Sequence, residues 1–346
     1  MNHAGDKLSE GRRWSAKIAF EPDLLAFEPS SRRALAMDQR IRDGLAQSLA
    51  TICTALEDSM DLPLPNVDRL LGRIRAARVR PAVFALYTKL VQAIELDDAG
   101  KIARLAAELS DPMLLEPTDH RIITLASKPL GNDLSARYCD ILDDDSAVPL
   151  HLHGVTKQQL HDGAAGIQSA LGLLGTRDSE FADEIKALGH EIVLVMPPLG
   201  SPPFGGVTTF YLWGAMFINP MAPSRVAMLE ALAHEAAHLL LFGMTMGSAM
   251  VENSDAERYA SPLRTDLRPM DGIVHATYVL ARLTYCAECL LRSNDLTPAE
   301  RDEVTHARGV NLRLYHDGLQ TVREHARFTE VGRMAFRRCV EAYPLP

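Results

Sequence analysis

The chain lacks a long apolar run. No stretch of 18 uncharged apolar residues occurs, and the most apolar window, 226–243, is broken by Glu230, His234, Glu235 and His238. A bilayer-spanning helix needs about 20 apolar residues, so neither a span nor a membrane partner is expected. Cations are in the minority, with 36 Lys and Arg against 45 Asp and Glu for a formal net charge of −9. Binding to a phosphate backbone needs clustered cations, which argues against a nucleic-acid partner. One arginine run (Arg73, Arg75, Arg78, Arg80) follows Glu57, Asp58, Asp61 and Asp68 and reads as a solvated helix face. Cysteine is sparse, at positions 53, 139, 286, 289 and 339. Cys286 and Cys289 form a CxxC with no second pair to complete a thiolate site, so they read as core residues. The opening MNHAGDKLSEGRRW has no apolar h-region, so no secretory signal is expected, and a reducing cytoplasm is the expected compartment.

What is present is ordinary globular material: 47% hydrophobic and 23% charged over 346 residues. That is enough for one large domain or two ordinary ones. Apolar residues at helical spacing predict helices over 31–56, 67–78, 81–96 and 99–109. Between 114 and 155 the texture changes to short strand-like pieces, such as 121–125, among Pro, Gly and Asp turns. Helices are predicted again over 156–174 and 179–188, then a buried strand over 191–196 (EIVLVM). The Pro/Gly-rich loop LGSPPFGG leads into one or two strands within 207–218, ended by Asn219-Pro220. Ser224 is a suitable N-cap for the helix that follows. Further helices are expected over 271–292, from the capping box Thr297-Pro-Ala-Glu300 to about 325, and over 330–342. The expected class is α+β, mostly helical: a helical N-terminal region over 1–112, then a metal-binding catalytic region over 113–346 with a small sheet.

The chemistry concentrates in HEAAH. Positions four apart on a helix point the same way, so His234 and His238 can reach one ion. Imidazole suits zinc, iron and similar metals. Glu235 stands where a carboxylate can address a metal-bound water. Two histidines and a glutamate on so apolar a helix are costly to bury without a partner, and metal binding supplies one. A third ligand must come from downstream. Glu252 and Asp255 lie in the polar loop VENSDAER, and His275 lies on the next apolar helix; His275 is preferred. Tyr278 and Arg282 follow His275 at helical spacing. The glutamate of the gluzincin pattern is missing there. His151 and His153, in PLHLHG, alternate like strand residues.

From about residue 189 to 292 the chain resembles a known family. The run HEAAHLLLF, then YASPLRTDLRPMDGIVHATYVLAR, is similar to the HExxH-motif peptide-modification family found beside ribosomal peptide biosynthesis genes. That resemblance implies a zincin-like scaffold carrying an Fe(II)/2-oxoglutarate-dependent dioxygenase, one that hydroxylates the β-carbon of a residue in a precursor peptide. It implies His234, His238 and His275 as iron ligands, and a cationic site for 2-oxoglutarate. The distal carboxylate of that co-substrate favours a bidentate guanidinium, for which Arg264, Arg268 and Arg282 are candidates. Alternatively, Arg264 and Arg268 pair with Asp266 and Asp271 to hold the loop. Three histidines would depart from the usual two-histidine-one-carboxylate set, which keeps Glu252 and Asp255 open. HEAAH alone points instead to a zinc metallopeptidase with Glu235 as general base and Tyr278 or His275 near the oxyanion. A closed structural metal site would usually draw on cysteine, and none lies near this helix in sequence. The loop before the 207–218 strands could line a peptide groove.

Overall fold

Local capping starts most of the helices. In the computed structural model, which describes residues 22–60, 67–109, 114, 120–125, 131–146, 148–263 and 265–345, four helices come first. They are α1 (Ser31–Met60), α2 (Val67–Ala76), α3 (Pro81–Glu95) and α4 (Ala99–Glu108). Pro81 opens α3, where its missing N–H costs nothing. The Asp98 side chain caps α4 at Lys101 N. Strand β1 (Arg121–Thr124) and helix α5 (Gly131–Asp145) follow, then β2 (His153–Gly154), α6 (Lys157–Gly175) and α7 (Ser179–Leu188). Thr156 and Gln159 form a reciprocal capping box on α6. Next come β3 (Glu191–Met196), β4 (Gly206–Val207), a 3-10 turn over Phe210–Leu212, and β5 (Ala215–Ile218). The chain ends with α8 (Arg225–Thr245), α9 (Met270–Leu291), α10 (Pro298–His325) and α11 (Glu330–Ala342). Ser224 and Thr297 cap α8 and α10 as the sequence predicts.

The class is α+β and mostly helical, with a small mixed sheet. Strands β1, β3 and β5 are parallel, with Arg121 and Ala215 both opposite Glu191. Strand β4 pairs antiparallel with β5 at the sheet edge. Strand β2 pairs antiparallel with the far end of β3. The interior of β3, Ile192–Val195, is fully buried, which explains its unbroken apolar run. Between 114 and 155 the expected short strands are β1 and β2, but the expectation misses α5, which supplies 15 helical residues. Its turn-like look comes from Gly, Asn and Asp; Tyr138, Ile141 and Leu142, at helical spacing and buried, hold it in place.

One continuous apolar core joins the N-terminal helices to everything downstream. Residues 110–113, at the expected division, lie outside the described ones. Three buried charge clusters also cross from one part to the other. Asp38 on α1 meets Arg42 at 2.9 Å, His190 at 3.2 Å and the Trp213 indole N–H at 3.1 Å. Arg80 meets Glu191 at 2.9 Å, and Tyr138 donates to the same carboxylate at 3.1 Å. Arg33 and Arg282 share Glu184. Arg80 is therefore buried, contrary to the expectation of a solvated arginine face, because Glu191 on the central strand partners it.

Helix α8 meets the length and composition of a membrane span, yet it is the central helix of this core, packed by α1, α6, α7, α9 and the sheet. Met37 of α1 and Trp213 close directly on Gly243 of α8.

Burial would raise the Asp38 carboxyl, but His190 and then Arg42 outweigh it and hold it well below the usual carboxylate range. A depressed carboxyl stabilises the fold above its unfolded pKa of about 3.9, and that contribution is lost as pH falls towards the folded value. Asp38→Asn is expected to lower unfolding free energy by about 3–5 kcal/mol at pH 7, the usual loss on breaking a buried pair. The gap to wild type should narrow below about pH 4. Denaturant melts at pH 7 and pH 3 check this.

Candidate metal centre

Helix α8 is apolar almost all round, and HEAAH is its polar interruption. The side chains of His234 and His238 are half-buried, while Glu235 is buried on an adjoining face. The two Nε2 atoms stand 3.3 Å apart. Two ligands on one tetrahedral ion with bonds of about 2.0–2.1 Å would be separated by roughly the same distance. The rings are 5.0 Å apart at their centroids. From α9, His275 brings its ring to 6.1 Å from that of His238, with the planes nearly parallel. Phe242, one turn beyond His238, lies 6.3 Å from His238 and 5.5 Å from His275, centroid to centroid. The His275 Nε2 faces Asp271, one turn earlier, at 3.6 Å. Among the described residues, no three His, Cys, Asp or Glu side chains already surround a common point. The preformed element is the His234–His238 pair, and His275 is the histidine brought beside it.

Burial lowers His234 to about 4. It also holds His238 well below its ordinary value, with His234 and His275 adding to the effect. His275 is lowered by burial, against the pull of Asp271. All three imidazoles are therefore neutral at pH 7, the protonation state that binds metals. Burial pushes the Glu235 carboxyl up to about 8, against the Thr208 hydroxyl, which donates to Oε2 at 3.1 Å. Glu235 also lies under the sheet edge. A Cβ on Gly206 of β4 would come within 3.0 Å of its Cγ and Oε1, so a glycine is what lets the strand settle on the carboxyl.

The other candidates are placed as follows. Tyr278 is fully buried; its hydroxyl donates to the Met244 sulfur at 3.7 Å, and its ring packs edge-on to Phe27. Burial raises its pKa far above the ordinary value. It stands in the core instead of at the histidine pair. Arg282 is fully buried, donating to the Phe27 carbonyl and Glu184, with its guanidinium 4.5 Å from the Phe181 ring centre. Those partners leave it unsuited to a diffusible carboxylate, a correction to the sequence expectation. Arg268 pairs with Asp266 at 2.9 Å and is about one-third exposed. Arg264 lies outside the described residues. Glu252 and Asp255 are exposed in a loop tied to the end of α10, where Asn253 donates to the His325 carbonyl and the Glu252 N–H to that of Arg327. His151 and His153 are exposed as well. Cys286 and Cys289 are buried on α9, and burial raises both thiols, Cys289 to about 11. They are core residues, as expected.

Sequence reasoning passed over Thr208, Phe242, Gly206 and the role of Asp271. Phe242 and Asp271 carry a local signal, each four positions from a histidine. Thr208 carries none, since only the sheet brings it to Glu235. Compared with known proteins, the chain matches no protein-family model and, at significance, no curated protein.

If Asp271 orients His275, Asp271→Asn should weaken binding of Co(II), a spectroscopic stand-in for the native metal, by about 10-fold or more, as for partners of ligating histidines generally. His234→Ala should abolish binding. Titration followed by visible absorption reads both, and an unchanged Asp271→Asn affinity would leave that carboxylate a surface pair only.

Proposed function

We propose that this chain is an iron(II)- and 2-oxoglutarate-dependent oxygenase acting in the cytoplasm. It hydroxylates the β-carbon of a residue in a ribosomally made precursor peptide, on a zincin-like scaffold. The observation that carries this reading is the neutral imidazole pair on α8 with His275 beside it from α9, next to an open sheet edge. A divalent ion held by neutral imidazoles would keep its full charge. Such a centre attracts a doubly negative chelator. Iron(II), when bound, would supply dioxygen activation coupled to decarboxylation of 2-oxoglutarate.

The chain's own residues do the positioning. His234 and His238 hold the metal, and Asp271 aims His275. Strand β4 is paired on one side only among the described residues, so an extended peptide can add to it through backbone hydrogen bonds. Glu235, held by Thr208, manages a proton beneath that peptide. Arg268 leads directly into α9 and can exchange Asp266 for the distal carboxylate of the co-substrate; Arg264 stays a candidate for the same task.

One observation favours a second reading, a zinc metallopeptidase. Glu235 lies against the strand on which a peptide would rest, where a general base for hydrolysis would be useful. The two readings separate cleanly. Under the oxygenase reading, metal-free protein given iron(II) in air converts 2-oxoglutarate to succinate, and Glu235→Gln keeps turnover within about 10-fold. Under the peptidase reading, zinc supports peptide cleavage, and Glu235→Gln loses about 10²–10⁴-fold, the usual contribution of a general base. Zinc-dependent cleavage without iron-dependent succinate would overturn the oxygenase.

A further inference from the structure

A cleft of about 600 Å³ lies past the histidines, at the end of α8. Helix α3 contributes Tyr87 and Glu95 to its lining, and α5 contributes Asp144 and Asp145. The 3-10 turn after β4 adds Phe210 and Tyr211, and the end of α8 adds Met246–Ser248. Among the described residues, no lysine or arginine lines it. Lys89 takes one Asp144 oxygen from outside, at 2.6 Å. Tyr211 is 47% exposed. Burial, and after it Asp145, raises the Tyr211 hydroxyl above its ordinary value, so phenol and carboxylate are within electrostatic reach of one another.

A chain of packed rings connects the cleft lining to the histidines. Phe210, in its lining, packs 6.3 Å from Phe242, which in turn packs 6.3 Å from His238. Those two ring steps are spanned by about three or four residues of extended chain at roughly 3.3 Å each. The same turn directly follows edge strand β4, so a peptide added to β4 runs towards the cleft.

We propose that this cleft is a specificity site for a cationic side chain, arginine or lysine, of the substrate peptide. That side chain lies about three or four residues from the residue held at the metal. The proposal rests on the peptide-substrate reading above. Aromatic faces and carboxylates together make the environment a guanidinium or ammonium prefers. Apolar lining such as Met246 takes the methylene stem, as long cationic side chains require. An anionic or purely apolar residue would gain nothing from Asp145 and Glu95.

The test measures binding alone, on the full-length metal-free protein, so it succeeds or fails independently of the catalytic assignment. A fluorescein-labelled hexapeptide of Gly, Ser and Ala carrying one arginine is titrated by fluorescence anisotropy. The same peptide with citrulline, a neutral isostere, is the control. The arginine peptide is expected to bind about 10-fold tighter or more, the size of one charge-assisted contact. The Asp145→Asn/Glu95→Gln double variant should erase that preference. Tyr211→Ala should weaken it, and Asp145→Glu should retain it. Equal binding of the two peptides, no measurable binding of either, or a preference that survives in the double variant would each overturn the proposal. Glu95, Asp145 and Tyr211 are exposed, and unchanged thermal melts confirm that the variants are folded.

Discussion

A helix buried on nearly every side has to carry two imidazoles and a carboxyl through the middle of an apolar core, and the rest of the molecule is arranged around that constraint. The sheet lies along one side of α8, α1 along another, and α9 along a third. In this enclosure the ionised forms are unfavourable. Histidine stays neutral, and the Glu235 carboxyl holds its proton up to about pH 8. Neutral imidazoles are the form in which histidine offers a lone pair to a divalent cation.

The contrast with the other buried charges sharpens this reading. Asp38, Glu184 and Glu191 are all buried, and each is met by at least one guanidinium. Those clusters are closed, and they serve to fasten helices together. Among the described residues, the HEAAH groups meet no opposing charge of that kind. His234 and His238 meet each other, and Glu235 meets a threonine hydroxyl. Among the described residues, this stripe gathers buried titratable groups without an opposing charge, the pattern expected of a functional site. Perturbed titratable groups gathered at one place point the same way.

Much of this was legible in the sequence, because the signals were local. Helix caps at Ser224 and Thr297, the buried run of β3, and the four-residue spacing in HEAAH all depend on near neighbours. His275 was legible as the histidine that would meet the pair, because the apolar pattern of its helix demanded burial. Helix α5 was hidden, since its composition favours turns and only packing of Tyr138, Ile141 and Leu142 overrides it. Arg80 and Arg282 were misread because their partners lie 111 and 98 residues away. Tyr278 shares a nominal face with His275, but α9 is buried on most of its circumference, and the phenol turns to Phe27 and Met244 instead. No spacing rule could announce that Thr208 ends beneath Glu235.

Met37 and Trp213 close on Gly243, one turn and a residue beyond His238, with Asp38 bonded to that same indole. The N-terminal helices are thus the floor of the HEAAH helix. Exchanging them as a cassette would strip the cover from Gly243 and leave His190 and the Trp213 indole without Asp38. A substitution in one stretch is therefore felt in the other.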